Sequence, residues 1–183
     1  MGGIGKTSIC NIVDSLLRTT GSPSEICVVP IYFRFASRQV QSLQAVFAYL
    51  VEDMIHAYPR LQKYYNKLML TGEGELEVPD SLRIIHRARQ DFQQFVIILD
   101  ALDECEGGLA EDVVKRLTGL RAPPSIFATS HSEGELTRHF AYHIHMKPMD
   151  AEDGARLLLE LLKQSPGPMG TNSPDSRDVA GSV

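Results

Sequence analysis

The sequence predicts a three-layer α/β sandwich built on a mainly parallel sheet. Strand-length runs of β-branched and aromatic residues alternate with segments whose apolar residues recur at helical spacing. One of those runs, "FVIILDALDEC", is continuously apolar up to its acids, the pattern of a strand buried on both faces of a parallel sheet. A glycine-rich segment, "GGIGKTS", stands directly before the first helical pattern. A chain of 183 residues, 43% of them hydrophobic, has enough apolar material for one core. The expected organisation is one domain over residues 1–164 and a disordered polar tail over 165–183, where apolar residues are too sparse to pack.

The elements follow in order. In "SICNIVDSLLRTTG", Ile9, Ile12, Val13, Leu16 and Leu17 fall at helical spacing, and Gly21 stops the helix. "CVVPIYFRF" reads as a strand, with Pro30 placing it at an edge or a bulge. From Leu43, the set Val46, Phe47, Leu50, Val51, Met54 and Ile55 draws one helix face, ending near Pro59 and packing on the sheet. A further helix carries Leu61, Tyr64, Tyr65, Leu68 and Met69 before Gly72. "TGEGELEVPD" is a loop, and Asp80 is the expected cap of the helix through Ile85, Ala88 and Phe92. The buried strand then leads to the helix "LAEDVVKRLTGL" and the short strand "SIFATS". "SEGELTRHF" opens with a capping box, Ser132 and Glu135. "YHIHMKPM" alternates as a strand, and "AEDGARLLLELLKQ" is the last helix.

Charge and composition exclude several classes. A net charge of −5 with scattered basic residues leaves no footprint for nucleic acid or an anionic membrane. Cys10, Cys27 and Cys105 are odd in number and too far apart for a disulfide framework or a zinc site, which points to a reducing, cytoplasmic setting. No apolar run reaches membrane-spanning length, and the N-terminus has no secretory pattern. Lys6 stands where a myristoylation pattern needs Ser or Thr. His143 and His145 share a strand side, but without acids or cysteines at ligand spacing they read as a solvated face.

Two motifs carry chemistry. Gly5, Lys6 and Thr7 end the pattern G-x-x-x-x-G-K-[ST], whose first glycine would precede Met1. Such a loop cradles phosphates with backbone N–H groups, here those from about Gly3 through Ser8. Lys6 would bridge the outer phosphates and the Thr7 hydroxyl would hold Mg²⁺. Asp100 ends the buried strand, where a second Mg²⁺ ligand must stand, with Asp103 and Glu104 on the following turn. The two motifs, in this order and separated by strands and helices, indicate a P-loop NTPase. A GTPase is excluded, because the lone Asn-Lys, in "NKLM", lacks its Asp, and Asp103 takes the place of the expected glycine.

"GGIGKTS", "IYFRF", "FVIILDALDEC" and "IFATSHSE" together resemble the four signatures of a NACHT domain. The resemblance is especially to the nephrocystin-like NACHT modules abundant in fungi, within the STAND class of signal-transducing P-loop ATPases. The resemblance spans roughly residues 2 to 163. It implies ATP or ADP as ligand, Mg²⁺ as metal, and Gly2, Gly3, Ile4, Gly5, Lys6, Thr7 and Ser8 as the nucleotide-binding loop. Thr7 and Asp100 are the implied metal ligands. Ala101 stands where the wider ATPase group has a glutamate, so the catalytic, water-orienting role passes by resemblance to Asp103 and Glu104. His131 replaces an arginine that senses the γ-phosphate in related domains; it is either a weakened, pH-dependent sensor or an exposed turn residue.

The family's first strand lies between its fourth and fifth, so the expectation is a fold lacking that pre-loop strand. "SIFATS" and "YHIHM" would then expose open edges or close against each other. STAND proteins follow this core with helical and winged-helix segments, so the chain is expected to be truncated at both ends. Two readings of function follow. One is an ATP·Mg-binding module of a STAND signalling ATPase with slow or no hydrolysis. The other is a non-catalytic NACHT remnant or interaction module that self-associates or pairs with other NACHT proteins.

Overall fold

Period-two alternation along the strands sorts the core onto two faces of one sheet. The computed structural model describes residues 5–33, 42–69, 76–105, 108–131 and 135–145. Its sheet has three parallel strands in the order β1 (Ile26–Tyr32), β2 (Gln94–Asp100) and β3 (Ser125–Ala128). β2 is central, paired from Ile26↔Gln94 to Tyr32↔Asp100 on one side and from Val96↔Ser125 to Leu99↔Ala128 on the other. The helices among the described residues are α1 (Lys6–Thr20), α2 (Leu43–Ala57), α3 (Gln62–Met69), α4 (Val78–Gln90) and α5 (Leu109–Thr118). Single 3₁₀ turns occupy Pro59–Leu61, Leu102–Glu104 and Glu135–His139.

Cys27, Val29 and Ile31 of β1 and Phe95, Ile97 and Leu99 of β2 join the main core with α2, α4 and α5. Val28 and Ile98 point the other way and meet α1 through Cys10, Val13 and Leu17. Helices therefore cover both faces, giving the expected three layers, and β2 is buried because each of its faces has a partner.

α2 buries the expected stripe of Val46, Phe47, Leu50, Val51 and Met54, and the Ser42 hydroxyl caps it by accepting from the Ala45 N–H at 3.1 Å. β1 is an edge strand, as Pro30 suggested, and its register shows no bulge. Its outer edge is sealed by side chains. The Val28 N–H donates to the Tyr58 hydroxyl at 2.9 Å, and the Val28 carbonyl accepts from the Arg18 guanidinium at 2.9 Å. Pro30 has no N–H to offer, so this edge presents few unpaired groups to another strand.

Several expectations need correction. α1 does not bury its whole apolar set: Ile12 is 64% exposed and Leu16 58%. The set is wider than the strip of sheet beneath it, and Cys10, wholly buried, takes the centre. Asp80 is not the cap of α4, which starts two residues earlier at Val78; Pro79, with φ already set for the first turn, is its second residue, and Asp80 pairs with Arg83 at 2.9 Å. Residues 142–145 form no strand, and Tyr142 and Ile144 are 90% and 88% exposed. Alternation marks a chain able to join a ladder, but a strand exists only where a ladder partner holds it, and none pairs there among the described residues. Of the two expected outcomes, then, 142–145 do not close against β3. Gly2, Gly3 and Ile4 of the loop, Ser132 of the capping box, residues 146–149, the helix expected at 151–164 and the tail at 165–183 lie outside the described residues. Among those described, no helix is long and apolar enough to cross a membrane.

α4 encloses one unsatisfied group. Ser81 is fully buried, and its hydroxyl has no hydrogen-bond partner. An orphaned buried hydroxyl costs roughly 1–3 kcal/mol. Ser81→Ala is therefore expected to raise stability by about 1 kcal/mol, read as a Tm increase of about 2–4 °C. A lower Tm would mean that the hydroxyl is satisfied in solution.

Candidate functional site

α1 begins at the sheet because Gly5 adopts φ 80°, ψ 14°, the left-handed conformation that a side chain disfavours. The first intrahelical bond runs from the Ile9 N–H to the Gly5 carbonyl at 3.0 Å. The N–H groups of Lys6, Thr7 and Ser8 precede it and have no intrahelical acceptor. They sit at the positive end of the helix dipole, a setting that favours anions.

Opposite them stands the end of β2. Asp100 is 2% exposed and gathers three side chains. The Thr7 hydroxyl donates to Oδ2 at 2.5 Å, the Thr129 hydroxyl donates to Oδ1 at 2.6 Å, and the Cys10 thiol lies 3.4 Å from Oδ1. Burial, and then the nearby Asp100 carboxylate, push the Cys10 thiol up to about 12, so it remains a protonated donor.

Immediately after Asp100 the chain reverses through Ala101, at φ 60° and ψ 51°. A non-glycine residue rarely adopts this conformation. Thr129 holds it there. Its Oγ1 accepts from the Ala101 N–H at 2.9 Å, and its carbonyl accepts from the Leu102 N–H at 2.9 Å. Ala101 is also buried, which explains why a small side chain follows the aspartate.

The reversal brings Asp103 back to the start of α1. The Lys6 ammonium donates to its Oδ1 at 2.8 Å, and the two side chains are 16% and 17% exposed. The His131 backbone N–H donates to the same oxygen at 2.9 Å. Burial pushes the Asp103 carboxyl up, but the Lys6 hydrogen bond, the His131 amide and the lysine charge outweigh it and hold it below its ordinary 3.8. A depressed carboxyl stabilises the fold fully above its unfolded value and loses that contribution as pH falls through the folded one. Asp103 therefore adds stability above about pH 4 that disappears on acidification below 3.8. Chemical denaturation across that interval should show wild type losing more stability than Asp103→Asn; parallel losses would remove Asp103 from the acid response.

Lys6, Thr7, Asp100 and Asp103 are thus brought into one cluster, with Ser8 beside them on α1. Glu104 lies half-buried on the same 3₁₀ turn as Asp103. His131 reaches the cluster by its amide, while the residue is otherwise exposed. Two participants were missing from the candidate site residues. Cys10 lies three positions after Thr7, hence on the same helix face, and Thr129 directly follows β3, its N–H donating to the Leu99 carbonyl at the end of β2. The helical period alone could have flagged the first. The second needs the register of β3.

The donor set suits a hard cation. A hydroxyl and a carboxylate oxygen are the kinds of ligand Mg²⁺ takes at about 2.0–2.1 Å while retaining waters and substrate oxygens. Adjacent octahedral ligands then lie roughly 2.9 Å apart, so the Thr7–Asp100 pair at 2.5 Å has to open only slightly. Among the described residues no group of three or more His, Cys, Asp and Glu could hold a metal. The cluster is closed by its own contacts, and neither of the two described cavities is lined by it.

The family model described as Nephrocystin 3, N-terminal, matches residues 1–131, more than half of the chain. No curated protein and no solved structure matches it.

Proposed function

The chain belongs to the nephrocystin 3 N-terminal family, and we propose that it is a NACHT-type nucleotide-binding module that takes ATP with Mg²⁺ at the start of α1. The observation that carries this reading is the meeting of Lys6 and Thr7 with Asp103 and Asp100 across 97 and 93 residues of sequence. In this reading the Lys6 ammonium leaves Asp103 for the outer phosphates, and the first N–H groups of α1 face the phosphate oxygens. Thr7 and Asp100 hold Mg²⁺, which neutralises phosphate charge when bound. That neutralisation is required, because Asp100 and Asp103 together outweigh the single lysine and would repel a metal-free triphosphate.

Hydrolysis should be slow. Ala101 stands directly after Asp100, where the wider ATPase group carries a glutamate, so no carboxylate occupies that place. Asp103 and Glu104, on the following turn, are left to orient a water. The three free cysteines, two of them buried, accord with a reducing setting such as the cytoplasm.

Titration with a fluorescent ATP analogue, with and without Mg²⁺, tests the proposal. Saturable binding that requires Mg²⁺ is expected, and its absence at millimolar nucleotide would sink the reading. The Lys6–Asp103 pair favours a second reading, an interaction module that no longer takes nucleotide, because the lysine is already satisfied internally. Asp103→Asn separates the two. Freeing Lys6 should tighten nucleotide binding by about tenfold under the first reading and do nothing under the second.

A further inference from the structure

We propose that the concave surface between α3 and α4 is a docking site for an acidic peptide segment. Its carboxylates would meet Arg83, Arg87 and Lys67, and its apolar side chains would rest on the half-buried Tyr64 and Leu68, with Ile84 buried beneath them. The cavity measures about 490 Å³, within the range of small-ligand and anchor-residue pockets. It is lined by α3 and α4 and lies apart from the cluster at Asp100.

Charge complementarity identifies the occupant. The chain carries a net charge of −5, yet the described lining includes two arginines, a lysine and His86, and no acid. Among the described residues Arg83 pairs with Asp80 of its own helix at 2.9 Å, and that pair is largely solvent-exposed. Arg83 and Arg87 stand four residues apart on α4, one helical turn of about 5.4 Å, and like charges at that spacing repel. Helix dipoles favour Lys67 and Arg87 in the last turns of α3 and α4. They do not account for the half-buried Tyr64 and Leu68 that line the same cavity.

The floor is preorganised. Ile84 is 1% exposed, and the Tyr64 hydroxyl donates to Asp91 at 2.8 Å, which fixes that ring as one wall. Arg83 and Arg87, four residues apart on α4, and Lys67 on α3 match several carboxylates carried by one chain better than a single anion. An anionic bilayer is disfavoured, because the rest of this acidic protein would be repelled by it.

A random short-peptide display library selected on the full chain, counter-selected on the double variant Arg83→Glu/Arg87→Glu, tests the assignment. The recovered peptides should be rich in Asp and Glu around one or two large apolar residues. A labelled synthetic copy should bind by fluorescence anisotropy, weaken with rising salt, and lose at least about tenfold in affinity to the double variant. Arg83→Gln/Arg87→Gln should show an intermediate loss, with an unchanged melting curve certifying the fold. Lys6→Ala should leave peptide binding intact, which separates this surface from the nucleotide proposal. Selection without acidic bias, equal affinity for the reversal variant, or arginine-dependent binding to phosphatidylserine vesicles without peptide binding would overturn the proposal.

Discussion

Asp100→Ala is expected to destabilise the fold by roughly 2–4 kcal/mol, lowering Tm by roughly 5–15 °C, and to abolish Mg²⁺-dependent nucleotide binding. The stability loss follows from the carboxylate's position. At 2% exposure it accepts from Thr7 and Thr129 and contacts the Cys10 thiol, so its removal leaves donors facing a small void. Thr129 also holds the left-handed Ala101, so loosening it should disturb the turn that carries Asp103. Asp100→Asn separates structure from function. It keeps the volume and one acceptor oxygen, so most of the stability should remain. The lost charge should weaken MgATP binding while slightly strengthening metal-free ATP, because one repelling carboxylate is gone. Wild-type Mg²⁺ dependence in Asp100→Asn would remove Asp100 from the metal site.

Lys6→Ala should weaken MgATP binding by about ten- to a hundredfold, the range of one charge-assisted contact to phosphate, in isothermal titration. It should also cost stability without nucleotide, since a largely buried Asp103 would lose its ammonium partner. The double variant Lys6→Ala/Asp103→Ala resolves these effects. Stability should recover relative to Lys6→Ala, because no carboxylate is left facing the gap, whereas nucleotide affinity should not recover. If Lys6→Ala binds MgATP as wild type does, the lysine's task is the internal pair alone, and the interaction-module reading prevails.

Much of this architecture was readable from residue order, for a definite reason. Hydrophobic period and strand length are local properties, and they placed α2 with its buried Val46–Met54 stripe and β2 with both faces covered. Pro30 announced the edge position of β1, since a missing N–H is tolerated where no strand has to pair. Lys6, Thr7, Asp100 and Asp103 were identifiable as candidates because a glycine–lysine–threonine run and acids ending an apolar run are local signals.

Contacts between distant segments were not encoded locally. That Lys6 rests on Asp103 depends on Ala101 turning left-handed, which Thr129 enforces from the end of a different segment, just past β3. The exposure of Ile12 and Leu16, and the absence of a strand at 142–145, depend on how much sheet lies beside those segments. Composition and periodicity determine which faces a segment can bury. Register and the supply of partners determine which it does bury, because hydrogen bonds and packing are made between segments and no single segment carries both halves.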